Sequence, residues 1–478
     1  MRMRKGDRNV NGVEQGIGVL GVLALLLLLC LSIFVGSSYR RWEGQAPAIR
    51  FDPELKALGR KPNLTLTLED PGSGLSHLTV RLKQKEQDVV LVDETFGGPG
   101  LLTFWRTGPA KSKQYNLGGL IPEKFKIQPG AATLSISAWD HSFRNFWRGN
   151  RAELSREFEF DIYPPRLEIL SGQHYINQGG SECVVYRVSE DAVVTGVQAG
   201  PHFFSGYPAG SSDPSVRFCL FAYAYDLPPD TPVKVIARDA AGNEAVAGFW
   251  QKVFPKKFRR RDITLDDGFL NKVVPEIMAR TPEIQDQGEL IKTYVEINSR
   301  LRRLNHEELT RLSADSPAQF LWDGPFLQLS NSQVESLFAD HRTYFYQGKE
   351  VDRQDHVGFD LSVVQQYPIE AANDGKVILA DYFGIYGNTV LIDHGCGLVS
   401  LYGHMSSIDV KVGQQVRKKE VLGKSGATGL AGGDHLHFGM FLQGVPVNPT
   451  EWWDGKWIKD HVLDRIASVT QSGAASKN

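Results

Sequence analysis

The stretch GGDHLHFGMFLQG, residues 432–444, decides how the C-terminal part of this sequence is interpreted. Glycines lead into an apolar run that is typical of a strand, and side chains two residues apart on a strand point to the same face. His435 and His437 would therefore lie side by side, with Leu436 and Phe438 on the opposite face. Taken by itself, the pattern is explained most simply by a surface strand that carries two histidines by chance.

The wider distribution of histidine favours a functional explanation. The chain has 12 histidines, and five lie between residues 356 and 437, where an even spread would place about two. These five are His356, His394, His404, His435 and His437. This concentration predicts a site in the C-terminal region that uses imidazole groups.

Length and charge restrict the class of protein. The chain is 478 residues long, more than one hydrophobic core usually spans, so several domains are expected. Its formal net charge of −2 gives no electrostatic reason to expect nucleic acid as a partner.

The N-terminus contains a candidate membrane anchor at residues 16–36. This uncharged stretch of 21 residues is long enough to cross a hydrocarbon core of about 30 Å as a helix. More basic residues lie before it than immediately after it, which favours a cytoplasmic tail at residues 1–15. We predict a single pass through the cell inner membrane, with the C-terminal domain in the periplasm. A cleaved signal peptide is the alternative, although its apolar region is usually only about 7–15 residues long.

Two β-rich modules are predicted after the anchor, at residues 47–165 and 166–260. Their segments alternate apolar and polar residues between turns rich in Gly, Pro, Asn and Asp. LSISAWDHSFRN (134–145) and VKVIARDAAGNEA (233–245) have the same form and lie about one sandwich length apart, so we predict two Ig-like sandwiches. Cys183 and Cys219 fall in strand-like segments of the second module. The sequence is compatible with a disulfide between them and equally with two buried free thiols.

The remaining chain divides into a helical connector and a second β-rich part. Apolar residues at helical spacing predict a connector over residues 263–320, with a cap at Asp266 or Asp267. From about residue 320 the chain is Gly-rich and strand-like again, and we predict a β-rich peptidase domain at 345–455 and a C-terminal tail at 456–478. The predicted fold class is therefore mainly β, with one membrane helix.

The residue types around the histidines suggest a catalytic zinc site. Such sites use three protein ligands and leave one position for water. His356 and Asp360 in HVGFD, with one imidazole of HLH, form a candidate set of nitrogen and oxygen ligands that suits Zn²⁺. The sequence has no H-E-x-x-H helix, so a catalytic base must come from elsewhere. The second imidazole of HLH and His404 in LYGHMS are the candidates.

Four separated motifs in this region resemble the LytM/lysostaphin-type zinc metallopeptidases. In chain order they are HVGFDLSV, GNTVLIDHG with LYGHM, VKVGQQV and GDHLHFG, and the similarity covers about residues 350–452. The resemblance implies that His356, Asp360 and His437 bind one zinc ion and that His404 and His435 assist catalysis. Gly439 is a departure, because many members have Glu after HLHF; we expect only local structural support to be affected.

The resemblance also implies the reaction, which is hydrolysis of a peptide bond by zinc-activated water. Family members cut the stem peptides or cross-bridges of peptidoglycan, and we expect an endopeptidase that acts on cross-linked stems. His435 is the expected general base, and His404 would donate a hydrogen bond to the oxyanion. These two roles could be exchanged.

Two other functions are compatible with parts of the sequence. Some members of this family have lost ligands and activate other wall hydrolases without cutting, but all five chemical residues are present here. VKVGQQVRKKEVLGKSG also resembles a lipoyl-type hairpin, although Lys418 and Lys419 lie in a charged run and the histidines would stay unexplained. The modules before the peptidase could act as a spacer, a docking surface for envelope proteins or a restraining cover, and we favour the first two.

Four further residues near these motifs have structural explanations that we favour over functional ones. His394 is expected to shape the DHGCG turn. Tyr386, Asn388 and Tyr402 could line a substrate groove, but a structural role is the simpler expectation for each.

Overall fold

The computed structural model describes residues 19–52, 54, 56–59, 62–100, 103, 105–211 and 213–475. The chain forms two compact units. Unit 1 comprises Met1–Tyr163 with Ala240–Asn243, and unit 2 comprises Pro164–Asp239 with Glu244–Asn478. Strands account for 41% and helices for 21%, so the prediction of a mainly β fold is confirmed.

An apolar helix, Val19–Ser38, opens the described part of unit 1 and continues into a short 3₁₀ turn at Tyr39–Trp42. An 18-residue window within Gly21–Trp42 has a mean hydropathy of 2.4 and is almost entirely exposed. Its length and composition allow it to cross a membrane. The first residues of the predicted span, 16–18, and the basic residues before them lie outside the described residues.

The rest of unit 1 consists of two sheets around one apolar core. A three-stranded sheet has the order β1-β3-β6, and a five-stranded sheet has the order β2-β8-β7-β4-β5. Alternating side chains of both sheets, such as Leu66, Leu68, Leu78 and Val80, fill the core. The strands are β1 (Ala48–Asp52), β2 (Ala57–Leu58), β3 (Thr65–Glu69), β4 (Leu75–Gln84), β5 (Gln87–Thr95), β6 (Ser112–Asn116), β7 (Gly130–Asp140) and β8 (Arg151–Phe160).

Unit 2 begins with two four-stranded sheets, of order β14-β15-β11-β9 and β13-β12-β16-β17, and a strand pair β10-β18. The Ig-like assignment of this region stays a prediction. The strands are β9 (Leu167–Ile169), β10 (His174–Asn177), β11 (Ser181–Val188), β12 (Ala192–Ala199), β13 (His202–Ser205), β14 (Tyr207–Pro208), β15 (Val216–Ala222), β16 (Val233–Asp239), β17 (Glu244–Gly248) and β18 (Gln251–Phe254).

The register of β11 and β15 answers the question of the two cysteines. Cys183 is opposite Leu220, and Cys219 is opposite Val184. Opposed residues of an antiparallel pair share a face and neighbours along a strand alternate, so the two thiols point to opposite faces of the sheet. Both are buried and free, as is Cys396.

A helical segment follows strand β19 (Arg260–Leu265). Its helices are Asp267–Arg280, Leu290–Glu296 and Arg302–Leu312, the last two joined by a π turn at Ile297–Leu301. Asp266 caps the first helix, because its side chain accepts a hydrogen bond from the Phe269 amide. The apolar stripe of this helix is buried as its spacing indicates, with Leu270, Val273 and Ile277 at its centre.

The C-terminal part contains a large sheet of order β20-β23-β31-β27-β26-β25-β29, with β32 paired to β31. Two three-stranded sheets, β19-β21-β22 and β24-β30-β28, adjoin it in sequence. The strands are β20 (Gln333–Ser336), β21 (Asp340–Tyr346), β22 (Lys349–His356), β23 (Phe359–Ser362), β24 (Pro368–Glu370), β25 (Gly375–Tyr382), β26 (Asn388–Asp393), β27 (Leu398–Met405), β28 (Ser407–Ile408), β29 (Gln415–Val416), β30 (Val421–Lys424), β31 (Leu436–Leu442) and β32 (Val445–Val447).

The C-terminal residues are largely helical, including most of those predicted as a tail at 456–478. Helices cover Pro449–Trp453, Gly455–Ile458 and Asp464–Ala475. Arg465 on the last of these places its Nε 3.2 Å from the buried carboxylate of Glu182 on β11. One apolar cluster includes residues of β11, β15 and β31, so the first sheets of unit 2 and the C-terminal sheet share a core.

Candidate metal centre and active site

Strand register brings three of the predicted ligands together. Asp360 on β23 lies directly opposite His437 on β31, and opposed residues of an antiparallel pair have their side chains on the same face. His356 ends β22 and reaches the same point through a tight turn at residues 357 and 358. Gly358 is required in this turn, because a Cβ there would lie 2.7 Å from His437 Nε2 and 2.6 Å from the Phe438 carbonyl oxygen.

Three atoms of these side chains converge on one point. His356 Nε2 lies 2.9 Å from Asp360 Oδ1 and 3.0 Å from His437 Nδ1, and the last two atoms are 3.0 Å apart. A tetrahedral zinc ion with bonds of about 2.0–2.1 Å holds its ligand atoms roughly 3.3 Å from one another. The triangle is therefore close to the size that this ion needs.

The hydrogen bonds around the triangle leave two of its three atoms, His356 Nε2 and Asp360 Oδ1, as electron-pair donors. His356 donates from Nδ1 to the Leu337 carbonyl at 2.9 Å, so its Nε2 carries a lone pair. Arg342 donates from Nη2 to Asp360 Oδ2 at 2.9 Å, which leaves Oδ1 facing the imidazoles. Two lone-pair atoms only 2.9 Å apart in a buried position repel each other unless a proton or a cation lies between them. The donor set and its surroundings thus fit Zn²⁺.

The electrostatics of the triangle agree with this arrangement. Burial opposes the ionisation of Asp360, but positive charge on the adjacent imidazole of His356 holds the pKa of the carboxyl well below its ordinary value, and a metal ion in that position would have the same effect. Burial also lowers the pKa of His437 to about 4. The carboxylate is therefore charged and this imidazole neutral near pH 7, which are the protonation states that metal ligands require.

Two more imidazoles border the triangle. The ring centroids of His404 and His435 are 4.9 Å apart, and the His404 ring is 5.8 Å from that of His437. His404 donates from Nδ1 to the Thr428 carbonyl at 2.8 Å, and His435 donates from Nδ1 to the Gly433 carbonyl at 2.9 Å. The Nε2 atom of His404 therefore remains for proton transfer, whereas His435 Nε2 lies 3.5 Å from Asp360 Oδ1.

The two rings differ in their protonation. Burial lowers the pKa of His404 well below its ordinary value. Burial acts in the same direction on His435, but a hydrogen bond to Asp360 outweighs it and raises the pKa of this ring. His404 also has a left-handed backbone, with φ of 64°, which non-glycine residues rarely adopt and which is common at functional sites.

All five predicted site residues line one cavity of about 640 Å³. One wall is formed by the strands that carry them. The other is formed by residues from before the predicted peptidase domain, including Ile263, Phe269, Tyr294, Arg302 and Arg342. A fragment beginning at residue 345 would lack this wall, the Leu337 carbonyl and Arg342.

Of the four further residues considered in the sequence analysis, one contacts the site and three do not. Tyr386 lines the cavity, with its ring centroid 5.3 Å from that of His437. Asn388 donates from Nδ2 to the Met405 carbonyl at 3.1 Å, and the Tyr402 hydroxyl accepts from the Ala372 amide at 2.8 Å. His394 is buried and bonds to the Asp374 carbonyl and the Ser400 hydroxyl, each at 2.7 Å. These last three residues support the sheet.

Gly439 and Cys396 also have structural roles. A Cβ at Gly439 would lie 2.9 Å from the Phe441 ring, so a larger residue there would need a different arrangement of this ring. Burial raises the pKa of the Cys396 thiol to about 12, and a thiol that stays protonated is a poor nucleophile.

Comparison with known proteins assigns the region that carries this site. Residues 354–449 match Peptidase family M23. DD-carboxypeptidase/endopeptidase Mpg of Neisseria meningitidis serogroup B is 40% identical over 94 residues, which are 20% of this chain and 22% of that protein. Peptidoglycan DD-endopeptidase ShyA of Vibrio cholerae is 38% identical over 93 residues, which are 20% of this chain and 22% of that protein.

A third relative is named as an activator. Murein hydrolase activator EnvC of Escherichia coli is 43% identical over 95 residues, which are 20% of this chain and 23% of that protein. The chain thus matches only about a fifth of the length of these relatives. A crystal structure of a putative peptidase M23 from Pseudomonas aeruginosa covers 57% of this chain and 92% of its own, with 24% identity and a TM-score of 0.35.

Proposed function

From the premise that residues 354–449 are an M23-family peptidase domain, we propose that this protein is a zinc-dependent endopeptidase of peptidoglycan. The observation that carries the proposal is the buried triangle of His356, Asp360 and His437 with two further imidazoles beside it. The relatives named as endopeptidases support peptidoglycan stem peptides or their cross-links as the substrate.

His356 Nε2, Asp360 Oδ1 and His437 Nδ1 would hold the ion. Zn²⁺ bound there would lower the pKa of a water molecule toward about 7 and polarise the scissile carbonyl. Arg342 fixes the orientation of the Asp360 carboxylate, and the Leu337 carbonyl fixes the tautomer of His356. Such supporting hydrogen bonds usually matter nearly as much as the ligands themselves.

The opposite directions of the two pKa shifts favour an exchange of the proton-transfer roles expected from the sequence. His404 is neutral near pH 7 with its proton on Nδ1, so its Nε2 can accept a proton from the attacking water. His435 has the higher pKa, and its Nε2, which lies 3.5 Å from Asp360 Oδ1, could turn its proton to the developing oxyanion once Asp360 Oδ1 holds the ion. We therefore assign the base to His404 and the hydrogen-bond donor to His435.

A wall-binding activator is the second candidate function. It is supported by the similarity to the activator EnvC over the same part of the chain. The complete set of three ligands and two adjacent imidazoles favours the enzyme, since a protein that acts only by binding does not need a metal centre with proton-transfer groups beside it.

We also propose that the apolar helix Val19–Ser38 anchors the chain in the inner membrane with the peptidase domain in the periplasm. Its exposed surface is apolar along its length, and the wall-directed relatives agree with an envelope location. A signal sequence of the same composition would be removed, so retention of the helix on the purified chain is the discriminating observation.

The test of function is digestion of purified, cross-linked peptidoglycan, with products identified by mass spectrometry. The soluble chain should begin at Tyr39, because Arg41 is buried and donates from Nε to the His141 carbonyl at 2.6 Å. Cross-link-cleaved products that disappear with His437→Ala and with a chelator would support the endopeptidase. Stable binding to peptidoglycan with one zinc per chain and no cleavage would favour the activator.

A further inference from the structure

The loop between β7 and β8 in unit 1 presents two aromatic side chains to solvent. Phe146 is 94% exposed and Trp147 is 65% exposed. Large aromatic side chains are normally buried or placed at an interface. Two adjacent ones on a loop tip therefore indicate a surface that meets something apolar.

The conformation of this loop is well fixed although it is unfavourable. Asn145, Phe146 and Trp147 all have positive φ, at 51°, 55° and 72°, a region that side chains other than glycine seldom occupy. Asn145 donates from Nδ2 to the Gly149 carbonyl at 2.8 Å, and the Gly149 amide donates to the Arg144 carbonyl at 3.2 Å. Strain of this kind persists where the surroundings fix it, commonly at functional sites.

The loop is attached directly to the end of the apolar helix. The Phe143 amide donates to the Arg41 carbonyl at 2.7 Å, and the Arg41 guanidinium lies 4.2 Å from the centre of the Phe143 ring. Phe143 also contacts Trp42, with ring centroids 5.4 Å apart, and Trp147, with ring centroids 4.6 Å apart. An aromatic series thus runs from the helix terminus to the exposed loop tip.

Basic residues surround the aromatic tip. Arg144 and Arg148 flank Phe146 and Trp147 and are exposed, and Arg40 stands at the helix terminus. Aromatic residues concentrate at membrane–water interfaces, and nearby arginines interact with lipid phosphates. This patch of aromatic and basic residues differs from an ordinary protein-binding patch, because it contacts the end of a helix that can span the bilayer.

We propose that Phe146 and Trp147 insert into the interfacial layer of the leaflet from which the helix emerges. Arg144 and Arg148 then lie at the level of the lipid phosphates. This inference rests on the proposed membrane anchor. Its consequence is that unit 1 is held against the bilayer at two points, the helix and the loop, instead of swinging on the helix alone.

The experiment places a polarity-sensitive fluorophore at the loop tip of the full-length chain. Phe146→Cys is labelled with a nitrobenzoxadiazole maleimide in a Cys30→Ser background, since the other three cysteines are buried. The chain is reconstituted in vesicles of phosphatidylethanolamine and phosphatidylglycerol. Glu86→Cys is the matched control, because Glu86 lies in the exposed turn after β4. The other end of β4, at Leu75, pairs with the end of β7 that leads into the loop. The length of β4, roughly 30 Å, therefore separates the control from the loop.

We expect label at position 146 to emit at shorter wavelength than label at position 86 and to be quenched by lipids brominated near the headgroup. Equal emission and equal quenching at both positions, in vesicles that retain the chain after carbonate extraction, would overturn the inference while leaving the anchor intact. Shielding of position 146 without lipid quenching would also overturn it and would indicate a protein partner. Loss of the chain on carbonate extraction would overturn the anchor and this inference together.

Discussion

The two walls of the metal cavity are built in different ways. One wall consists of the end of β22 with β23, β27 and β31, within residues 354–449, and strand register sets the positions of Asp360 and His437 on it. The other consists of β19, β21 and the helices of residues 267–312, which precede the family match. The first wall carries the residues to which we assign the chemistry, and the second adds support and enclosure. The predictions below test how far this division holds.

The largest effect is expected at the ligands of the strand wall. Asp360→Ala or His437→Ala should eliminate stoichiometric zinc and all peptidoglycan cleavage. Two remaining protein ligands do not compensate for the water molecules that the ion loses when it enters a buried site. Elemental analysis and the digestion assay measure the two losses. His306→Ala, which changes an imidazole outside this cavity, is the control and should keep both. Zinc at wild-type occupancy in Asp360→Ala would contradict the assigned triangle.

The next effect is expected at the two imidazoles beside the triangle. His404→Ala and His435→Ala should each keep zinc but lose about 10²–10⁴-fold in cleavage rate, the usual contribution of a positioned acid or base. Added imidazole should restore part of the activity of His404→Ala if this residue is the base, and less of the activity of His435→Ala. Rescue of His435→Ala alone would return the base role to His435.

The strand wall was accessible from the sequence, because alternation along one strand places His435 and His437 on one face and spaced motifs identify their partners. The family resemblance was confirmed by the M23 match. The second wall was not accessible. Arg342 reaches Asp360 only because β21 and β22 pair in one register, and no motif marks it. The left-handed backbone of His404 and the opposed faces of Cys183 and Cys219 likewise depend on three-dimensional pairing.

A third prediction concerns the junction between the C-terminal helices and the first sheets of unit 2. Glu451 is buried and accepts hydrogen bonds from Asn177 Nδ2 at 2.8 Å and the Ser181 amide at 2.7 Å. Burial nevertheless raises the pKa of this carboxyl to about 7, from an ordinary value of 4.5. A raised pKa in the folded state stabilises the protein at low pH, and this stabilisation is lost as pH rises from about 4.5 to about 7.

The change expected from Glu451 over that interval is about 3 kcal/mol, since one pKa unit corresponds to about 1.4 kcal/mol. Glu451→Gln keeps most of the hydrogen-bonding capacity of the side chain and removes its titration. The free energy of unfolding of this variant should therefore depend less on pH than that of the wild type between about 5 and 7, which is roughly the interval over which Glu451 titrates. Denaturant unfolding at several pH values measures this. An unchanged pH dependence in the variant would show that Glu451 is ionised at all these pH values.

The smallest predicted effect tests whether the second wall takes part in the chemistry. Arg342→Met should weaken zinc affinity or cleavage by about 10–100-fold, the usual cost of removing a group that orients a ligand, because Asp360 Oδ2 would lose its charged donor. Arg353→Met is the matched control on the neighbouring strand, since Arg353 is exposed and pairs with Glu350 instead. An effect confined to Arg342 would show that the working metal centre extends beyond residues 354–449. Equal zinc affinity and equal cleavage rates in the two variants would confine the working metal centre to the strand wall.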